Sequence, residues 1–145
     1  MPSAPAATTA RTWRSVGVTG TPFAWLVAVL ATLLGTLAVV YLAAMAGAIA
    51  FWMTKAQGVQ GLLVGAEWVL GGIVAPIALL PGPWPEILRH QPFWYADAAA
   101  PEILSGISAP SVWIVAEAAV WVFGLHLLYG VLWRRALLKY DAVGT

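Results

Sequence analysis

In a chain of 145 residues, 61% are hydrophobic and 9% charged, with mean hydropathy +0.85. Soluble domains average about 45–50% apolar and about 25% charged, so a water-soluble fold is excluded. The lack of cysteine removes disulfide frameworks and thiolate chemistry, and a net charge of +1 without a basic run removes a nucleic-acid surface.

What remains is an all-α integral membrane protein, because in hydrocarbon only a helix or a closed barrel satisfies its own backbone, and each crossing helix takes about 20 residues. Residues 1–21, rich in Ala, Thr, Ser and Pro with no helical apolar period, read as a flexible lead-in to a membrane domain over 22–145. Phe23 to Met53 contains no charged residue and would form a helix of about 46 Å, longer than a hydrocarbon core of about 30 Å. A secretory signal is set aside, since its apolar stretch runs to only about 7–15 residues.

The polar interruption Lys55 to Gln60 separates this helix from a second apolar run, Gly61 to Leu80, which contains Glu67 and Pro76. Gly61 and Gly65 stand at the GxxxG spacing that lets helices approach closely. Six prolines between Pro81 and Pro110 prevent a regular helix there, although PWPEILRH has an amphipathic pattern. A third apolar run, Val112 to Trp133, ends on Arg134, Arg135 and Lys139, which suits a helix C-terminus. The spacing therefore predicts three transmembrane helices (about 23–53, 61–80 and 112–133), with short re-entrant or interfacial helices over 81–110.

The order of short motifs carries a resemblance. An AFW step (Ala50, Phe51, Trp52) precedes a Gly-rich helix that runs into a Pro-interrupted exit at Pro76 and LLPGPWP. Then come Gln91, Pro92 and Phe93, the series Tyr95, Pro101 and Gly106, and a last helix with Arg134, Arg135, Tyr140 and Gly144. From about Gly35 to Thr145 the chain resembles the carboxy-terminal half of ABC-2 family exporter permeases of the six-helix type. The resemblance implies a multi-pass permease in the cytoplasmic membrane, with paired short helices over 81–110 dipping into the outer leaflet and a cytoplasmic carboxy terminus. It implies a second permease subunit across the substrate passage, a separate ABC ATPase and no cofactor. It also implies three preceding helices, so the chain would be a partial subunit completed by another polypeptide, or a truncated product. A charge count agrees on orientation: Lys55, Arg134, Arg135 and Lys139 share one side, against Arg11, Arg14 and Arg89 on the other.

No phosphate-binding loop, nucleophilic triad or zinc-ligand spacing occurs, so no catalytic residue is expected and ATP hydrolysis belongs to a partner. The candidate passage or gating residues are Glu67, Pro76, Glu117 and His126, since ionisable groups and prolines inside spans carry a cost. Each acid has a structural alternative as a protonated or interface-reaching side chain. Glu67 and His126 fall at similar depths, about 9 and 10 Å from the same membrane face, where a contact would cheapen the burial of both. In the outer loop, Trp84, Pro92, Phe93, Trp94, Tyr95 and Pro101 read as interface anchors, with substrate stacking as the functional alternative. Two other classes are open: a three-helix haem-bearing anchor, for which only His126 lies in a span, and a small structural or assembly protein.

Overall fold

A computed structural model describes residues 20–49, 52 and 57–141, with side chains described up to residue 138. Most of the lead-in, the Ala50–Phe51 step, Lys55, Gly144 and the side chains of Lys139 and Tyr140 lie outside these. The described elements are α1 (Pro22–Ala48), α2 (Gln57–Leu70), a 3₁₀ turn (Ile77–Leu79), α3 (Trp84–Leu88), a π-helical turn (Trp94–Ala98) leading into α4 (Ala99–Leu104), and α5 (Val112–Asp141).

Helix α1 starts where its sequence dictates. Thr21 Oγ1 accepts the Ala24 N–H at 3.1 Å, and Pro22 fills a first-turn position whose missing N–H costs nothing. Its 27 residues extend about 40 Å. With α5 it is one of two helices among the described residues long and apolar enough to cross a membrane. The last helix also outruns its expected end at Trp133, so Arg134 and Arg135 are part of it rather than its stop.

The second apolar run behaves differently from a single 61–80 helix. Helix α2 begins earlier, at Gln57, and ends at Leu70, a length of about 21 Å that falls short of a hydrocarbon core of about 30 Å. Gly71 and Gly72 end it, and Gly72 adopts φ +80°, a left-handed conformation that glycine enters without a Cβ penalty. Pro76, lacking an N–H, then precedes the 3₁₀ turn. Hydropathy averages over such a break, which is why the run reads as one span.

Helices α1 and α5 run in the same direction. Ala24, Val27 and Ala28 near the start of α1 share a cluster with Ile114, Val115 and Ala118 near the start of α5. Farther along, Tyr41 meets His126 and then Tyr129. Two parallel spans require the chain between them to return across the bilayer, and that return is divided. Helix α2 ends at Leu70, whose carbonyl accepts the Gln91 amide at 2.7 Å. The helical run 92–104 packs along the other half of α1, with Tyr95 and Ala96 against Gly35 and Leu104 beside Gly20. Gly35 is 13 residues past Pro22, so this run reaches about 20 Å down α1.

The approach depends on small residues. Ala24, Ala28, Ala31, Gly35 and Ala38 are buried on one face of α1, and a Cβ at Gly35 would land on the backbone of Tyr95 and Ala96. Outward, Leu33 on α1 and Trp113 and Val120 on α5 belong to an uncovered apolar surface of the kind spanning helices present to lipid or to another subunit. Phe93, Trp94 and Tyr95, expected at the membrane interface, are instead core residues. An aromatic triplet suits either place, and the chain reversal before Pro92 turns it inward against α1.

Candidate functional site

The point where α2, the re-entrant run and α5 converge is built by three consecutive residues, each reaching a different element. Arg89 Nε donates to Glu102 Oε2 on α4 at 3.2 Å, while Nη1 bridges to Glu86 at 3.1 Å. His90 Nδ1 lies 2.7 Å from Glu117 Oε1 on α5, and its carbonyl accepts the Trp121 indole N–H at 3.0 Å. Gln91 holds Leu70 and, through Oε1, accepts the Phe93 N–H at 2.9 Å. Positions 117 and 121 are one helical turn apart, so α5 grips both ends of His90 with one face. Helix α3 sets this register: it ends at Leu88, which frees the next three residues to diverge.

Glu117 also takes a hydrogen bond from Tyr95. Glu117 thus ties two points of the segment between α3 and α4 to α5. Asp97, in the π-helical turn, feels the charge of Glu67 on α2. Its Oδ2 is buried without a hydrogen-bond partner, as are Glu102 Oε1, Trp94 Nε1 and Thr32 Oγ1. A cavity of about 370 Å³ opens here, lined by Gly71, Pro76, Asp97, Glu102 and Ser105 among others. Gly71 keeps clear of Asp97: a Cβ there would strike the carboxylate.

Of the residues singled out from sequence, the structure gathers some and separates others. Pro76 lines the cavity, Glu67 stands at its edge through Asp97, and Pro101 lines it from α4. Glu117 sits in the neighbouring polar cluster. His126 lies apart: its Nδ1 is 2.9 Å from the Tyr41 hydroxyl, and the rings meet edge to face at 5.5 Å. The contact of His126 with Glu67, open on depth alone, gives way to this pair because α2 packs against α1 and not comparably against α5. Trp84 is exposed, while Pro92 is buried beside Phe93. The two histidines reach points on α5 nine residues apart, about 13 Å along the axis, so they do not flank one haem position.

Sequence reasoning passed over Arg89, Gln91, Asp97 and Glu102. A signal for them exists, since five of the six acidic residues fall between Glu67 and Glu117 with Arg89 as the sole Lys or Arg among them.

Neither a curated protein nor a solved structure matches this chain. The family model described as ABC-2 family transporter protein matches residues 9–144. With two parallel apolar helices, a run of short helices between them and a family match over nearly its whole length, the chain is a membrane transporter permease component and belongs to the ABC-2 transporter family.

Proposed function

We propose that the chain is part of an ATP-driven exporter, in which it forms one wall of the substrate passage in the cytoplasmic membrane. The observation that carries this reading is the polar junction at Arg89, His90 and Gln91, which fastens the re-entrant run to α2, α4 and α5 around an acid-bearing cavity. Buried ionisable groups at such depth are costly and are commonly retained on transport paths. In this reading the outer segment 81–110 faces the cell exterior, the carboxy terminus is cytoplasmic, and a second permease subunit covers the apolar faces of α1 and α5. Nucleotide hydrolysis resides on an ABC ATPase that drives the permease between inward-open and outward-open states. The chain supplies part of a permease subunit.

Affinity purification of the tagged chain from native membranes in mild detergent tests the assembly. Recovery of an ABC ATPase in stoichiometric amount is expected, together with ATP hydrolysis that is absent from the isolated chain. Purification of a homogeneous complex containing no nucleotide-binding subunit would rule the reading out.

A further inference from the structure

The acid-bearing cavity has a chemistry of its own. Its walls are largely apolar and glycine surfaces, and two carboxylates face it. Glu102 is 7% exposed at the side chain and commits Oε2 to Arg89 and Ser108, yet its buried Oε1 has no partner. Asp97 likewise has a buried Oδ2 without one. A buried polar atom left unpaired costs about 1–3 kcal/mol, more when charged, so two carboxylate oxygens in one cavity need an explanation. Arg89 does not provide it, because its guanidinium is shared between Glu86 and the other oxygen of Glu102.

We propose that this cavity binds a protonated amine carrying an apolar body, with the ammonium between Asp97 and Glu102 and the body against Gly72, Ile73 and Ile107. Both orphan atoms are acceptors, so the complementary group must donate hydrogen bonds, which a primary ammonium does and a quaternary one does not. Two carboxylates fall short of the six to eight oxygens that a calcium ion takes. The volume stands at the small end of ligand sites, roughly 300–1,000 Å³, and fits a compact amphiphile. The local charge agrees: Asp97 and Glu102 line the site, and the neighbouring cation, Arg89, is already bound by Glu86 and Glu102. As a statement of the substrate class the inference rests on the exporter reading; as a binding site it does not.

The full chain in phosphatidylcholine nanodiscs, titrated with monodansylcadaverine, gives the direct test. Saturable binding above that of lipid-only discs is expected, with the trimethylammonium and N-acetyl analogues bound at least about tenfold more weakly. Asp97→Asn, nearly isosteric and checked for folding by intrinsic tryptophan fluorescence, should weaken the amine about tenfold or more. Glu102→Gln serves as a second variant under the same check. Absence of saturable binding, equal affinity for the three probes, or unchanged affinity in a folded Asp97→Asn chain would each overturn the proposal. In discs containing phosphatidylethanolamine, displacement of the probe identifies a lipid headgroup as occupant, and retention identifies a free amine; either supports the amine site. Binding by a chain whose homogeneous native complex contains no nucleotide-binding subunit would leave the site standing and remove the exporter reading.

Discussion

Glu117 on α5 lies 2.7 Å from His90, a residue 27 positions earlier in the chain, and the contact pins the segment between α3 and α4 to the last helix. Both side chains retain substantial exposure, so the pair fixes geometry more than it supplies stability. A double-mutant cycle with His90→Gln and Glu117→Gln, read by thermal unfolding in detergent, should give a coupling energy of about 0.6 kcal/mol, the usual size for polar pairs in membrane proteins. A coupling indistinguishable from zero would mean that the contact does not hold the segment.

Gly35 is the closest approach between α1 and the re-entrant run. Gly35→Ala places a Cβ against the Tyr95 and Ala96 backbone, where no side chain can swing aside. The expected loss is about 1–3 kcal/mol, with the melting temperature lowered accordingly. Gly47→Ala, on the same helix with open space around its Cβ, is the control and should be neutral or stabilising by up to about 1 kcal/mol. Equal melting temperatures for the two variants would contradict the packing described.

The native chain has no cysteine, so single cysteines report topology without background. Ile107 precedes the start of α5 and Leu138 lies near its end, and both are exposed. With the outer segment outside the cell, Ile107→Cys should react with an impermeant maleimide on intact cells, and Leu138→Cys only after permeabilisation. The inverse pattern would place the carboxy terminus outside.

Much of the architecture follows from local chemistry that can be read one segment at a time. The uncharged stretch after Thr21 has to be a helix in a bilayer, and Thr21 with Pro22 marks its start. The prolines between Pro81 and Pro110 forbid a regular span, which leaves short helices such as α3 and α4. Other features depend on which segments meet. Hydropathy treats 61–80 as one crossing, but Gly71 and Gly72 stop α2 at Leu70, and the remaining depth is occupied by the run 92–104 against Gly35. Composition alone assigns Phe93, Trp94 and Tyr95 equally to an interface or a core, and the inward turn of the chain decides for the core. Asp97 and Glu102 look like ordinary loop acids in the sequence. Their significance comes from buried oxygens without partners and, for Glu102, from its contact with Arg89. Periodicity and capping are encoded within a helical turn or two, whereas the partner of a buried charge is fixed only when distant segments fold together.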